Sequence, residues 1–242
     1  MKLYGKTDIG MVRESNQDAD KIEALGVGAG FALVCDGMGG ANGGDYASAI
    51  ARKSITGAIK SQYTDTMTDE EIKKLALDAV YKANLDIYSA SCEDQRLEGM
   101  GTTAVLVILC HGKAICTYVG DSRLYQYKGG KLRLLTKDHS RVQYLVDNGI
   151  ITREEAKSHP EKNMLTRAVG VSLQIKVDSF EFPFSKGEKL LLCSDGLTNS
   201  LADEDIEQLL CTYEGEELVN KLVSNANIVG GSDNITVVLI EG

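Results

Sequence analysis

Short apolar runs that stop beside an aspartate recur along this chain and dominate its hydrophobic pattern. The first, FALVC from Phe31 to Cys35, has the length of a buried strand and ends at Asp36. Two later runs, ICTYV and KLLLC, also end just before an aspartate, and a fourth, ITVVLI, begins just after one. If the fourth strand is antiparallel to the others, its beginning lies at the same sheet edge as their ends. The four aspartates expected to meet there are Asp36, Asp121, Asp195 and Asp233.

Each of these aspartates taken alone is first of all a turn signal. Asp-Gly after an apolar run is typical of a turn, because glycine adopts positive φ and aspartate bonds its own backbone. Four such aspartates, two of them in the contexts DGMGG and SDGL, favour a metal centre instead. Close like charges repel unless a cation lies between them, and carboxylate oxygens suit hard divalent ions. The pattern therefore predicts bound Mg²⁺ or Mn²⁺.

Helical periodicity occupies two early and two late segments. The first runs from Ala47 to Ile59, and the second opens at Thr68, with Glu71 completing a capping box. The late pair begins at Asp203 and near Leu218. Each segment is apolar on one face only, which predicts helices packed on the outside of the sheets.

Further strands are expected between and after the helices, at residues 2–8, 102–110, 113–119, 123–127, 132–135, 174–182 and 189–193. The short turns between the four runs from residue 102 to 135 predict a meander of antiparallel hairpins. Several runs are apolar on both faces, so both sides of the sheet should be covered. The absence of repeats and of Pro-rich or Ser-rich linkers indicates one domain, residues 1–242.

The segment 140–170 interrupts the strands with two short helical patterns, which Ser140 and Thr152 can cap. An insertion of this size beside a catalytic edge is a candidate flap over the substrate. A purely structural excursion is the alternative reading, and the residues alone do not decide between the two.

Composition narrows the function classes. A net charge of −9 argues against a nucleic-acid backbone as the partner, and 43% hydrophobic residues support a substantial core. The six cysteines show neither C-x-x-C nor zinc spacing, so we expect reduced core residues in a cytoplasmic protein. Neither a signal peptide at the start nor an apolar run long enough to span a bilayer is evident, so membrane insertion is not expected.

Seven short motifs, taken together and in order, resemble the metal-dependent protein phosphatase family, the type 2C Ser/Thr phosphatases, and most closely its compact bacterial members. The first of them, RESNQD, would alone be only a solvated loop. The motifs are RESNQD (13–18), DGMGG (36–40), GTTA (101–104), VGDSR (119–123), LTKDHS (135–140), SDGL (194–197) and GGSDNIT (230–236).

This resemblance implies an α+β fold, a four-layer αββα sandwich of two central antiparallel β-sheets flanked by helix pairs. It also implies hydrolysis of phosphoserine and phosphothreonine in proteins by direct attack of a water bridging two Mn²⁺ or Mg²⁺ ions, with no phosphoenzyme. The expected partners are phosphorylated proteins and a cognate Ser/Thr kinase, and a monomer is expected. A catalytically silent metal-binding regulatory relative is the alternative. A nuclease or phosphodiesterase would need a basic groove that the composition does not indicate.

The resemblance also implies roles for individual residues. Asp36 resembles the carboxylate that bridges the two ions, and the carbonyl of Gly37 resembles a further ligand. Arg13 resembles the guanidinium that binds the phosphate, a role suited to its planar, two-pronged donor geometry. The remaining expected ligands are Asp195 and Asp233 at the first ion, Asp18 at the second, partly through water, and Asp121 at a third, weaker ion.

Two positions depart from the family pattern. Animal members have a histidine, assigned as the acid that protonates the leaving group, where this chain has Met38, and methionine cannot donate a proton. The role would pass to metal-bound water near Asp121 or to His159 of the flap. His111 and His139 are expected to be structural. Gln17 replaces an acidic residue of some members, which suggests more water around the second ion.

Overall fold

The computed structural model describes residues 1–39 and 43–242 of the chain. Gly40, the last residue of the DGMGG motif, lies outside the described residues. The strands are β1 Lys2–Asp8, β2 Asp18–Gly26, β3 Ala29–Met38, β4 Gly101–Thr102, β5 Ala104–Cys110, β6 Lys113–Val119, β7 Arg123–Lys128, β8 Lys131–Leu134, β9 Asp178–Pro183, β10 Lys189–Cys193 and β11 Ile235–Glu241. The α-helices are α1 Gly44–Gln62, α2 Asp69–Glu93, α3 Arg141–Asp147, α4 Arg153–Lys157, α5 Asp195–Thr198, α6 Asp203–Thr212 and α7 Gly215–Val229, and a 3₁₀ turn spans Gln95–Leu97.

Two antiparallel sheets form the centre of the molecule. One has the strand order β1-β11-β10-β7-β8, and the other has the order β2-β3-β5-β6-β9, with β4 paired to β3. β11 is antiparallel to β10, with Lys189 opposite Glu241 and Cys193 opposite Val237, so it begins at the edge where β10 ends. This arrangement confirms the condition on which the predicted cluster of carboxylates depended.

Three apolar layers hold the sandwich together. Helices α1 and α2 pack on the second sheet around Phe31, Ile55 and Leu106, and α6 and α7 pack on the first sheet around Leu191 and Leu222. A third layer, which includes Val107 and Val238, lies between the two sheets. Strand β5 is buried along its whole length, as expected for a run covered on both faces. The predicted four-layer αββα sandwich is confirmed.

Local signals set several helix boundaries. The Thr68 hydroxyl accepts from the Glu71 amide, and the Glu71 carboxylate accepts in return from the Thr68 amide, which is the predicted capping box of α2. Thr152 and Glu155 make the same exchange at α4, and Ser140 caps α3 through the Gln143 amide.

The predicted meander from residue 102 to 135 is wrong. β5 and β6 form one hairpin and β7 and β8 another, but β6 pairs with β9, whereas β7 pairs with β10 in the other sheet. The chain therefore passes between the sheets at Gly120, Asp121 and Ser122. Strand periodicity does not distinguish a tight hairpin from such a crossing, because both need only a short polar connection.

Other boundaries also differ from expectation. The strand expected at 174–182 begins only at Asp178, and the edge strand β2 was not predicted. Four cysteines are buried and free as expected, but Cys92 and Cys211 are exposed on α2 and α6, so they are not core residues. Within the described parts of the chain, every helix is too short or too polar to cross a membrane.

Candidate active site

The predicted aspartates meet at one edge of the sandwich. Asp36 lies near the end of β3, directly opposite Asp18 at the start of β2. Asp121 follows β6, which has the same direction as β3 because each is antiparallel to β5. Asp195 follows β10, and Asp233 precedes the antiparallel strand β11. Five carboxylates from both sheets thus share one edge.

The electrostatics of these carboxylates reflect burial and mutual repulsion. Burial, with the charges of Asp18 and Asp195 next in size, raises the pKa of Asp36 well above its usual value. Burial also raises the pKa of Asp18 to about 7 and that of Asp121 to about 8. The pKa of Asp195 is raised by burial and by the charge of Asp233. Such a group of acids gains stability from a cation placed among them.

Among the described residues, the Asp18 carboxylate is held through one of its two oxygens. The Ser194 hydroxyl donates to Oδ2 of Asp18 at 2.7 Å and accepts from the Thr236 amide at 2.9 Å. The other oxygen, Oδ1, is buried and has no hydrogen-bond partner among the described residues. An orphaned carboxylate oxygen within an all-oxygen donor set fits a hard divalent cation such as Mg²⁺ or Mn²⁺, directly or through water.

The backbone around Asp36 is fixed by threonines and by close packing. Its amide donates to the Thr103 hydroxyl at 2.9 Å, and its carbonyl accepts from the Thr103 amide and the Thr102 hydroxyl. A Cβ on the next residue, Gly37, would collide with the backbone carbonyl oxygens of Gly44 and Gln17. Glycine is therefore required here because two backbone segments approach closely.

Arg13 lies beside the carboxylates, on the loop between β1 and β2. Its Nη2 donates to Oδ2 of Asp233 at 2.7 Å, while half of the side chain remains exposed. The hydrogen bond to Asp233 raises the pKa of Arg13, and the charges of Asp195 and Asp36 act in the same direction. The guanidinium is thus both held near the acidic edge and accessible from solvent.

Asn234 holds the loop that carries Arg13. Its Nδ2 donates to the carbonyls of Ile9 and Ser15, both at 2.9 Å, and its Oδ1 accepts from the Gln17 amide at 2.8 Å. The side chain is buried, so these bonds are shielded from water. One side chain at the start of β11 therefore fixes both ends of the loop.

Asp121 lies between two well-held neighbours at the crossing between the sheets. The Gly120 amide donates to Nδ1 of His139 at 3.1 Å, and the hydroxyls of Ser122 and Thr103 lie 2.7 Å apart. His139 is buried and stacked on Tyr118, which agrees with the structural role expected for it. These contacts hold the residues on both sides of Asp121 in place.

The segment 140–170 is attached at its base. An antiparallel bridge joins Ser140 to Leu165, and another joins Thr102 to Val169. His159 lies in the turn after α4, where its Nδ1 accepts from the Glu161 amide. The hydrogen bonds described for His159 thus stay within its own segment.

Met38 is the last residue of β3 and pairs with Gly101.

Sequence reasoning assigned no role to Ser194 or Asn234. Both occur in quoted motifs, immediately before Asp195 and immediately after Asp233. The available signal was a polar residue adjoining an apolar strand, which a solvated turn would also show. Their function depends on partners more than 170 residues away in the sequence.

The comparisons with known proteins agree with the geometry of the carboxylate site. The family model described as "Protein phosphatase 2C" matches residues 12–226. Over 237 residues the chain is 39% identical to the serine/threonine phosphatase stp of Listeria monocytogenes serotype 4b (strain F2365), covering 98% of this chain and 94% of that protein.

Two solved structures have closely similar folds. The serine/threonine phosphatase of S. agalactiae superposes with a TM-score of 0.92 at 34% identity, covering 99% of this chain and 98% of that chain. The catalytic domain of the serine threonine protein phosphatase PstP, in complex with two manganese ions, gives a TM-score of 0.84 at 29% identity. That match covers 98% of this chain and 96% of that chain.

Proposed function

Because this chain belongs to the protein phosphatase 2C family, we propose that it is a Mn²⁺- or Mg²⁺-dependent phosphatase of phosphoserine and phosphothreonine in proteins. The observation that carries the proposal is the meeting of Asp18, Asp36, Asp195 and Asp233 at one edge, with Arg13 beside them. The named phosphatase relatives support the reaction class, and the manganese-containing PstP structure supports the metal dependence.

The donor set suits two hard cations in the core site. Asp36 would serve both ions, together with the Gly37 carbonyl, while Asp195 and Asp233 would hold one ion and Asp18 the other. When bound, the cations would supply positive charge that attracts the phosphate dianion and would acidify a water for in-line attack. The partnerless Oδ1 of Asp18 supports this assignment.

The side chains of the protein would bind and position the substrate. Arg13 presents a planar, exposed guanidinium that can donate two parallel hydrogen bonds to phosphate oxygens. Asn234 fixes the loop that carries this guanidinium, and Ser194 fixes the Asp18 carboxylate. Direct attack by water requires no nucleophilic side chain, in keeping with four cysteines buried in the core.

Three finer assignments belong to the same proposal. Asp121, whose two neighbours in the chain are held by hydrogen bonds, would help to hold a third, weaker ion. The segment 140–170 would act as a flap beside the substrate, with His159 the candidate group for contact with it. Phosphoproteins modified by a cognate Ser/Thr kinase would be the substrates.

Hydrolysis of three substrates with and without Mn²⁺ tests the proposed reaction. A phosphothreonine peptide should be hydrolysed only with metal and faster than a phosphotyrosine peptide, and a phosphate bis-ester should remain intact. Preference for the bis-ester would indicate a phosphodiesterase. Absence of hydrolysis, with Mn²⁺ binding intact, would indicate the regulatory relative.

Asp36→Asn tests the metal site itself. This variant should lose turnover and Mn²⁺ binding by calorimetry while keeping the wild-type circular dichroism spectrum. Asp78→Asn is the matched control, because Asp78 is an exposed carboxylate on α2 that pairs only with Lys74 among its described ion pairs. Near-wild-type activity of Asp36→Asn would refute the bridging assignment.

A further inference from the structure

A second group of metal-ligand side chains lies at the opposite end of β5 from the aspartates. Cys110 ends β5, His111 follows it in the turn to β6, and Asp69 is the first residue of α2. One ligand atom from each residue, a carboxylate oxygen, Sγ and a ring nitrogen, lies within 4.8 Å of the other two. Strand β5 spans about 20 Å from Cys110 to Ala104, and Ala104 lies beside the candidate active site.

The conformation of His111 directs its ring towards α2. Cys110 pairs with Lys113, so His111 and Gly112 form a two-residue hairpin turn with φ values of 51° and 72°. Among the described residues, His111 is the sole non-glycine residue with positive φ. Asn-Gly is the unstrained choice for such a turn, and an imidazole at this position brings Nδ1 to 2.9 Å from Oδ1 of Asp69.

Cys110 supplies the third donor from inside the protein. Its side chain is 2% exposed, so the thiol is enclosed by the protein. The two oxygens of Asp69 are divided between partners, since Nζ of Lys113 donates to Oδ2 at 2.6 Å and His111 meets Oδ1. An ion could therefore reach the cluster from the side of Oδ1 and the imidazole, because the His111 side chain is exposed to solvent.

The donor chemistry differs from that of the aspartate site. Sulfur and imidazole ligands select borderline-soft ions such as Zn²⁺ and Co²⁺, whereas Mg²⁺ and Mn²⁺ prefer sites made of oxygen alone. Three protein ligands with water in the fourth position give the tetrahedral geometry common for zinc.

We propose that Asp69, Cys110 and His111 form a binding site for a borderline-soft transition-metal ion, best matched by Zn²⁺. On binding, the Cys110 thiol releases its proton to solvent and the thiolate coordinates the ion, as the His111 ring nitrogen and Oδ1 of Asp69 also do. The ion ties the β5–β6 turn to the beginning of α2. This site is independent of the proposed phosphatase reaction.

Titration of the full chain with Co²⁺, followed by near-ultraviolet absorption, tests the site. A thiolate-to-cobalt charge-transfer band should appear, reach the intensity of one thiolate-bound cobalt ion per chain and disappear on addition of Zn²⁺. The aspartate site cannot produce this band, because it contains no sulfur ligand. Cys110→Ala should abolish the band, whereas Cys92→Ala and Cys211→Ala, at the two exposed cysteines, should retain it.

His111→Asn provides a second variant that preserves the turn, since asparagine tolerates positive φ. It should weaken the Co²⁺ binding that this band reports at least about tenfold without lowering the melting temperature of the metal-free protein. The proposal is overturned if the wild-type chain shows no charge-transfer band. A band that survives in Cys110→Ala, or that His111→Asn leaves unchanged, would also overturn it.

Discussion

The Ser194 hydroxyl donates a 2.7 Å hydrogen bond to Oδ2 of Asp18 and so joins two strand ends that belong to different sheets. Ser194 follows β10 in the first sheet, and Asp18 begins β2 in the second. The same hydroxyl accepts from the Thr236 amide, which links it to β11 as well. The carboxylate proposed for the second ion is therefore positioned by the packing of one sheet on the other.

Ser194→Ala should weaken Mn²⁺ binding while leaving the fold intact. Loss of a group that orients a metal ligand typically costs about 10- to 100-fold in metal affinity. The unpaired Thr236 amide should also lower the free energy of unfolding by about 1–3 kcal/mol. Calorimetric titration with Mn²⁺ and urea unfolding measure the two effects.

Ser224→Ala is the matched control, because its hydroxyl bonds a carbonyl within α7 on the exposed surface. The positioning role of Ser194 is wrong if Ser194→Ala binds Mn²⁺ as tightly as Ser224→Ala does.

Where the sequence carried local signals, it predicted the fold well. The capping boxes at Thr68 and Thr152 marked true helix starts, because both partners of each box lie within four residues. The aspartates beside strand ends were also correctly expected to share one edge, since that inference required only an antiparallel final strand.

The failures arose where the deciding contact is distant in sequence. β2 carries polar residues and is largely half-exposed at the edge of its sheet, so its hydrophobic pattern is weak. The passage from β6 to β7 has the length of a hairpin, yet β6 finds its next partner about 60 residues later in β9. Ser194 and Asn234 were overlooked for the same reason, since both act on segments from the beginning of the chain.

Gly37→Ala should destabilise the protein because no space exists for a side chain there. The added Cβ would meet the carbonyls of Gly44 and Gln17, and a backbone shift of this kind costs about 1–3 kcal/mol. The shift would displace Asp36 as well, so activity should fall more than stability alone explains. Thermal unfolding and assay of a phosphothreonine peptide measure both effects.

Gly57→Ala provides the opposite control. Gly57 is exposed within α1 with nothing near its Cβ position, so alanine should stabilise the helix by about 0.5–1 kcal/mol. If both variants change stability in the same direction, the close approach at Gly37 is not the cause.

Asn234→Ala should release the loop between β1 and β2. Three backbone groups would lose their partner, which should lower the free energy of unfolding by about 1–3 kcal/mol. Hydrogen exchange at the Gln17 amide should become faster, and KM for a phosphopeptide should rise because Arg13 is no longer positioned. Asn225→Ala, which removes one bond within α7, should leave the loop protected. Unchanged exchange at Gln17 would contradict the role given to Asn234.

Arg13→Lys separates the charge of this side chain from its geometry. Lysine keeps the positive charge near Asp233 but cannot donate two parallel bonds to a phosphate group. Hydrogen bonds to charged groups contribute about 1.5–3 kcal/mol, so kcat/KM should fall about 10- to 100-fold, mainly through KM. Inhibition by inorganic phosphate should weaken by a similar factor, which reports binding without turnover. Arg96→Lys, at an exposed arginine paired with Asp94, should change neither quantity. Equal phosphate inhibition of Arg13→Lys and the wild-type protein would exclude Arg13 from the phosphate site.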